Sequence, residues 1–256
     1  MFKKQFVWLS LSALLAVPAV AADLTVDEII AKNIETRGGM DALKAVESAR
    51  MSASISVQGM DLPVSMVFRR PNKLRVEVEM QGMKVVQAYD GETGWIIMPM
   101  MGSTEPSKMS GAQLKQIEEQ SDFDGPLVDY EKKGHTVELV GKEDVEGTEA
   151  YKVKLTKENG DESHYYIDTE YFLVFKQVGR TDMQGMEVNA TTNYSDYKEV
   201  GDIVLSHSQE VVAEGMPTGF VVKVNEVELN VDVDESQFAF PEKPAAEEPA
   251  EEKTEG

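Results

Sequence analysis

The sequence predicts a mainly β protein built on one strongly curved antiparallel sheet. Between residues 73 and 80, apolar and polar side chains alternate without a break, and this alternation gives a strand one apolar and one wet face. Short glycine turns of the hairpin type, such as Gln81-Gly82, separate such strands. About twelve strand patterns follow one another with mostly short turns and no visible linker.

Residues 1–22 have the features of a secretory signal peptide. Lys3 and Lys4 form a positive end, an apolar run follows from Phe6 to Val17, and small residues around Ala21 fit a cleavage site. The apolar run is too short and too poorly flanked for a membrane-spanning helix. The sequence therefore predicts an exported protein that is cleaved near Ala21 and has no stable membrane insertion.

Composition excludes several classes of function. The net charge of −21 becomes −23 when the two lysines of the signal are removed, which argues against binding to nucleic acid or to anionic lipid surfaces. The absence of cysteine excludes disulfides, a thiol lipid anchor and thiolate metal ligands. Residues 241–256 carry six glutamates and two lysines and are predicted to form a disordered acidic tail. The folded domain is therefore expected to span 23–240.

The folded part is predicted to begin with helices. Thr25 and Glu28 form a capping box, and apolar residues from Val26 to Ile34 recur at helical spacing. Gly38-Gly39 stops this helix, and one or two further turns follow at 40–46.

Strand patterns then come in two groups. The first group comprises 49–58, 62–69, 73–80, 83–89 and 94–98. The second comprises 136–140, 149–156, 164–167, 171–178, 187–197, 203–212 and 219–233. Between the groups, residues 99–134 have little β character, apart from a predicted helix at 110–121. A slip of the apolar phase near Asn225-Glu226 predicts a bulge in the last strand.

Turns of the form x-Gly-Met recur at Gly59, Gly82, Gly185 and Gly215. If the 99–134 segment leaves and returns at one rim of the sheet, all four turns share that rim. Ten methionines would then surround an opening: Met60, Met80, Met83, Met98, Met100, Met101, Met109, Met183, Met186 and Met216. Methionine suits adaptable apolar surfaces. Gap filling in the core, and copper binding by thioether sulfurs, are the alternatives.

Catalytic motifs are absent from the sequence. It contains no G-x-S-x-G elbow, H-E-x-x-H helix or phosphate-binding P-loop. Asp122-Phe123-Asp124-Gly125 resembles the start of a calcium loop, but Pro126 and Lys133 stand where oxygen ligands belong. We therefore expect a turn at that place, and neither an enzyme, a metal site nor a cofactor.

Three motifs resemble the LolA-like outer-membrane lipoprotein-sorting family: Arg-Arg-Pro-Asn-Lys-Leu at 69–74, Asp-Gly-Glu-Thr-Gly-Trp at 90–95 with Pro99, and the closing stretch 233–241. The resemblance implies an incompletely closed, half β-barrel with helices as a lid over an apolar cavity. It implies a periplasmic carrier that takes acylated lipoproteins from an inner-membrane exporter to an outer-membrane receptor. It also implies that Arg70 gates the lid by hydrogen-bonding it when the cavity is empty.

The predicted site combines Arg70 with an apolar lining. Val64, Met66 and Phe68 share a strand face with Arg70, so the guanidinium should extend from the apolar side and find backbone carbonyls at a helix end or a loop. An exposed turn arginine is the alternative. Strand parity places Arg70 at the rim opposite the methionines. The lining of the cavity and its mouth is predicted to be Met66, Phe68, Leu74, Val76, Val78, Met80, Met83, Trp95, Met98, Met100, Met101, Met183 and Met186.

The sequence thus predicts storage and handover of lipoprotein or lipid acyl chains. Two alternatives stay open: a lipid-binding envelope sensor of the same fold, and a periplasmic hydrolase whose nucleophile and base are not evident in the sequence. For Trp95, packing in the core is the alternative to lining the cavity.

Overall fold

The structure is a computed structural model that describes residues 24–99, 103–183, 186–215 and 218–241. Within these ranges it contains three α-helices: α1 (Val26–Thr36), α2 (Gly39–Lys44) and α3 (Gly111–Gln120). A 3-10 turn, Glu235–Gln237, lies near the C-terminus.

The described ranges also contain thirteen strands. They are β1 (Ser48–Val57), β2 (Met60–Arg69), β3 (Lys73–Met80), β4 (Met83–Tyr89), β5 (Gly94–Met98), β6 (Ser103–Lys108), β7 (Thr136–Val145), β8 (Thr148–Thr156), β9 (Glu162–Asp168), β10 (Val174–Met183), β11 (Met186–Val200), β12 (Ile203–Ala213) and β13 (Phe220–Leu229).

All thirteen strands belong to one antiparallel sheet in the order β6-β5-β4-β3-β2-β1-β13-β12-β11-β10-β9-β8-β7. Strands β1 and β13 pair near its centre, and the two halves of the described chain meander outward from there. The described strands β6 and β7 end the sheet without pairing to each other. The predicted single, incompletely closed antiparallel sheet is therefore confirmed.

Local signals in the sequence place several elements correctly. The capping box of α1 is present, with the Thr25 N–H donating to Glu28 Oε2 at 2.8 Å and the Glu28 N–H donating to Thr25 Oγ1 at 3.3 Å. The predicted bulge is also confirmed, because Ser52 pairs with Glu226 and Ala53 with Val224, which leaves Asn225 as the extra residue. Strand β6 was not predicted, since it contains Pro106 and almost no apolar residues.

The three helices lie on the same face of the sheet, and that face is concave. Helix α3 contacts β4 and β5 in one half of the sheet and β10 in the other, which only a curved sheet allows. Ile29 and Ile30 of α1 pack against Val153, Leu155 and Ile167. Leu43 of α2 packs near Ile203, and Ile117 of α3 packs against Leu74 and Ile96.

The opposite, convex face of β2–β5 is covered by the C-terminal segment. Val233 and Phe238 are buried there against Val67. The Trp95 side chain lies under the same segment, and its indole Nε1–H donates to the Phe238 carbonyl at 2.7 Å. The segment thus closes the outer surface of this half of the sheet.

The two ends of the strands form two rims. The pairs Val57–Met60 and Met80–Met83 close the turns at 58–59 and 81–82, and the pair Val57–Phe220 brings the turn at 214–215 to the same end. We call this end the mouth rim. Arg70 and the turn at 201–202 lie at the other end, the base rim.

Candidate functional site

The inner face of β1–β5 is apolar from the mouth rim downward, apart from Gln87 beside Val76. Strand register makes Met51, Met66 and Val76 cross-strand neighbours. Nearer the mouth, Val64, Val78 and Val85 form the next row. Most of these side chains are half-buried, whereas Leu74 near the base is only 1 % exposed. The apolar surface is therefore covered at the base and accessible toward the mouth. We call the inner surface formed by Val64, Met66, Val76, Val78 and Val85 the apolar arm.

Most of the predicted lining residues with described side chains share this face by register. Met66, Val78, Met80 and Met83 lie toward the mouth and are half-buried. Phe68, Val76 and Met98 pack partly against the buried cluster of Leu74 that α3 covers. Met183 and Met186 pair at the tip of the β10–β11 hairpin, and Met100 and Met101 lie outside the described residues.

The assignment of Trp95 to the cavity lining is wrong. Trp95 pairs with Ala88, and Ala88 pairs with Arg75, so all three project from the convex face. The indole is 1 % exposed beneath the C-terminal segment, with the Arg75 guanidinium 5.5 Å from its ring. Trp95 is therefore a core residue of the outer layer.

Met109 also lies outside the predicted ring of methionines. The Met109 N–H donates to the Gly94 carbonyl at 2.8 Å, at the base end of β5, because β6 carries the chain away from the mouth rim. Its side chain is 7 % exposed and packs in the cluster under α3. Met109 therefore fills the core.

Arg70 reaches from β2 to the helical cover. Its Nε donates to the Val46 carbonyl at 2.6 Å, and its Nη2 donates to the Leu43 carbonyl at 2.8 Å, both at the C-terminal end of α2. The predicted bonds to carbonyls at a helix end are therefore confirmed, and such a position favours a cation. Whether these bonds gate the lid stays a prediction.

Asp124, in the loop that follows α3, accepts from the same guanidinium. Its Oδ1 lies 2.6 Å from Arg70 Nη2, and its Oδ2 lies 3.0 Å from Arg70 Nη1. Lys44 of α2 donates to Asp124 Oδ2 at 2.6 Å and lies 3.0 Å from Asp129. Arg37, just after α1, donates to the Asp124 backbone carbonyl at 3.1 Å. We call Arg70, Asp124, Lys44 and Asp129 the base clasp, because they join β2, α2 and the α3–β7 loop.

The clasp depends on an ionised Asp124. Burial, with 2 % exposure of the residue, acts to raise the pKa of this carboxyl, but the hydrogen bonds from Arg70 and Lys44 outweigh burial and lower the pKa. Hydrogen bonds from Lys132 and Lys44 lower the pKa of Asp129 to about 2. Both carboxyls therefore stay charged at neutral pH.

Acid should weaken the fold through this clasp. Since the pKa of Asp124 is lowered on folding from 3.8, the unfolded chain takes up the proton first. The stabilisation is present above the unfolded value and is lost as pH falls through the lower pKa that Asp124 has in the folded protein. We expect the difference in free energy of unfolding between wild type and Asp124→Asn, measured by urea titration, to shrink between about pH 6 and about pH 2. A constant difference over that range would contradict this role.

The floor beside the clasp is tightly packed. A cleft lined by Ala49, Phe68, Arg70, Ser121 and Phe123 has a volume of about 10 Å³, enough for roughly one water molecule. The rings of Phe68 and Phe123 meet edge to face at 5.5 Å. An acyl chain cannot enter this floor unless the covering segments move, so the mouth half of the concave face is the surface available to a ligand.

Sequence reasoning missed the partners of Arg70. Asp124 belongs to the stretch that resembles an incomplete calcium loop, and it is 54 residues from Arg70 along the chain. Lys44 sits on a short helix in which nothing in the sequence indicates chemistry. The one available signal was the aspartate in an Asp-Gly-Pro turn. That motif predicts a bend but does not identify the residue that the aspartate contacts.

Comparisons with solved structures agree on the fold. A DUF1329 family protein from Desulfovibrio piger aligns with a TM-score of 0.59 at 13% identity, over 84% of this chain and 97% of that chain. A LolA superfamily protein from Nitrosomonas europaea aligns with a TM-score of 0.58 at 14% identity, over 85% and 98%. A domain from Vibrio parahaemolyticus, named for outer membrane lipoprotein sorting, aligns with a TM-score of 0.52 at 10% identity, over 82% and 97%.

No protein-family model matches this sequence, and no curated protein is detectably similar to it. None of the helices in the described ranges combines the length and the hydropathy that crossing a membrane requires. The open, curved antiparallel sheet with its inner helices is the fold that this chain shares with solved proteins of the LolA superfamily.

Proposed function

We propose that this protein is a periplasmic carrier that binds the acyl chains of lipoproteins or lipids on its concave face and delivers them toward the outer membrane. One observation carries the proposal: an apolar inner surface stays accessible at the mouth, while an ionic clasp fastens the helical cover at the base. The shared fold with a LolA superfamily protein and with a domain named for lipoprotein sorting supports it. An inner-membrane exporter as donor and an outer-membrane receptor as acceptor belong to the same proposal.

The energetics favour transient storage. Burying about a dozen methylenes of an acyl chain is worth on the order of 10 kcal/mol before the costs of binding. A carrier without an energy source must release that chain to an acceptor. The closed cover offsets part of the gain, because opening it exposes the apolar cluster around Leu74 and Ile117 and breaks bonds of the clasp.

Helix α3 is the part of the cover best suited to move. Ile117 is its buried residue, and two ion pairs join it to the β8–β9 turn, Lys115–Asp161 at 2.5 Å and Glu119–Lys157 at 2.7 Å. Most of these four side chains are more than a third exposed, so such pairs contribute little. Displacing α3 would uncover Leu74 and Ile96 and lengthen the apolar surface downward from the mouth.

Lipid bound during expression is the direct test. The purified protein should be extracted with organic solvent and the extract analysed by mass spectrometry. Acyl lipid or lipopeptide in stoichiometric amount supports a carrier, and transfer of that lipid to acceptor vesicles or to a receptor separates a carrier from a sensor. A lipid-free protein that fails to bind acyl probes and turns over ester substrates would overturn the proposal in favour of a hydrolase.

Arg70→Leu is expected to hold its cargo more tightly. The substitution removes the bonds that favour the closed, empty form, so release of a fluorescent acyl probe should slow by about tenfold, since roughly 1.4 kcal/mol of lost closed-state stability corresponds to that factor. Arg69→Leu is the matched control, because Arg69 lies on the convex face and bonds to Val233 and Glu235. Equal release rates for wild type and Arg70→Leu would contradict gating by Arg70.

A further inference from the structure

The two halves of the concave face differ in polarity. The inner face of β2–β4 around the apolar arm carries apolar side chains except for Gln87, which pairs with Val76. Toward the mouth rim of β10–β12, the inner face carries Gln177, Thr192, Tyr194 and Gln209, which we call the polar arm patch. The inference drawn from this difference rests on the proposed binding of acyl chains.

Strand register makes the polar arm patch continuous. Gln177 pairs with Thr192 across β10 and β11, and Tyr194 pairs with Gln209 across β11 and β12. Gln209 in turn pairs with Val222, and Val222 with Ile55. The patch therefore shares the inner face with the apolar arm and meets apolar residues at the centre of the sheet.

The groups of the patch are available for hydrogen bonds. The Tyr194 hydroxyl donates to Gln177 Oε1 at 2.7 Å, which leaves the Gln177 amide N–H groups for another acceptor. The Thr192 and Gln209 side chains are half-buried and make no hydrogen bond to another described residue. Burial raises the pKa of Tyr194 to about 12, so its phenol stays neutral.

The patch offers no charge to a ligand. Its four side chains are uncharged, and the cations Arg37, Lys44 and Arg70 lie with Asp124 at the base of the concave face, where they bond to it. The whole chain carries a net charge of −21. An anionic phosphate placed here would lose its water without gaining a counter-charge. Ester carbonyls and hydroxyls, by contrast, match the amide and hydroxyl groups of the patch.

We propose that the polar arm patch binds the uncharged glyceryl-ester end of an acyl lipid, while the acyl chains lie along the apolar arm. The site therefore selects neutral glycerides, or the diacylglyceryl group of a lipoprotein, against anionic phospholipids. Discrimination arises because a buried amide satisfies an ester carbonyl, whereas a buried phosphate needs a cation.

Competition binding with short-chain lipids tests this assignment. The full mature protein is loaded with the neutral probe N-phenyl-1-naphthylamine, which is displaced by monomeric dioctanoylglycerol, dioctanoyl phosphatidic acid or dioctanoyl phosphatidylglycerol. We expect dioctanoylglycerol to compete at least about tenfold better than either anionic lipid. A lipopeptide with the same diacylglyceryl group separates the two sources. If the lipopeptide binds more weakly than dioctanoylglycerol, the ligands are free glycerides. If the two bind comparably, lipoproteins are also ligands, and both results support the assignment.

The double variant Gln177→Leu/Gln209→Leu locates the effect. It should weaken the binding of dioctanoylglycerol by about tenfold, which is the effect of roughly one lost hydrogen bond. The affinity for the naphthylamine probe should stay unchanged. Gln87→Leu is the matched control, because Gln87 shares the inner face but pairs with Val76 in the other half of the sheet.

The outcomes separate the two proposals. Equal or tighter binding of phosphatidic acid, or an unchanged lipid preference in the double variant, overturns the assignment of the polar end and leaves the carrier intact. Failure of the probe and of every lipid to bind overturns the carrier itself.

Discussion

Arg70→Leu is expected to lower the free energy of unfolding by about 3 kcal/mol, in the range observed when one partner of a buried ion pair is removed. The variant leaves Asp124, which is 2 % exposed, with Lys44 as its remaining side-chain cation, and it leaves the Leu43 and Val46 carbonyls without their donor. Urea denaturation at neutral pH measures the change. A loss below about 0.5 kcal/mol, typical of a surface substitution, would show that the clasp contributes little.

The double variant Arg70→Leu/Asp124→Leu separates the clasp from general damage to the core. Replacing both charges by apolar side chains of similar size is often close to neutral, so the double variant should be more stable than Arg70→Leu alone. Lys44 keeps Asp129 as a partner, 3.0 Å away, so no cation is stranded. Strictly additive single effects would contradict a direct interaction between Arg70 and Asp124.

Gly38→Ala is expected to be the other strongly destabilising change. Gly38 joins α1 to α2 with φ at +109°, and a Cβ there would lie 2.1 Å from the Asp202 carbonyl oxygen. The left-handed backbone costs about 1–2 kcal/mol for a residue with a side chain, and the contact with fixed backbone adds roughly 1–3 kcal/mol. The expected loss of unfolding free energy is therefore about 2–5 kcal/mol, measured by urea denaturation.

Gly39→Ala is the matched control for that variant. Its φ is also positive, at +86°, but a Cβ there would meet nothing within 4 Å. Both variants share the conformational strain, and the difference between them measures the close approach of the helical corner to the β11–β12 turn. Equal losses for Gly38→Ala and Gly39→Ala would show that this approach does not stabilise the fold.

The variants at Gly38 and at Arg70 probe different parts of the cover, the first a part that stays fixed and the second a part proposed to move. The α1–α2 corner rests on backbone: the Val204 N–H donates to the Arg37 carbonyl at 3.1 Å, and Gly38 lies against Asp202. The α3 end is held by exposed ion pairs and by the clasp. Opening should therefore begin at α3 and the loop that carries Asp124, while α1 and α2 stay docked.

The elements that local sequence predicts are those with local causes. Strands β3, β4 and β5 have the predicted bounds, because each lies between a hairpin turn and its alternating or apolar run. The capping box and the Asn225 bulge also follow from neighbouring residues. Arg70 was predicted to reach a helix end because it continues the apolar face of its own strand.

Trp95 shows where local pattern stops being sufficient. Strand β5 is apolar on both faces, Gly-Trp-Ile-Ile-Met, so alternation cannot tell which residues face the helices. Two distant parts of the chain decide it: α3 covers Ile96, and the segment that contains Phe238 covers Trp95. Met109 was misplaced for a related reason, since the strand that carries it away from the mouth lacks an apolar pattern.

The sequence by itself determined the curved antiparallel sheet, its helical start and the face from which Arg70 extends, because turns, caps and alternation act over a few residues. Tertiary structure alone decided that Asp124 and Lys44 meet Arg70, that Trp95 belongs to the outer layer, and that Gln177 and Gln209 fall on one inner patch. Those contacts join residues that the chain brings together only when the two halves of the sheet curve around the same helices.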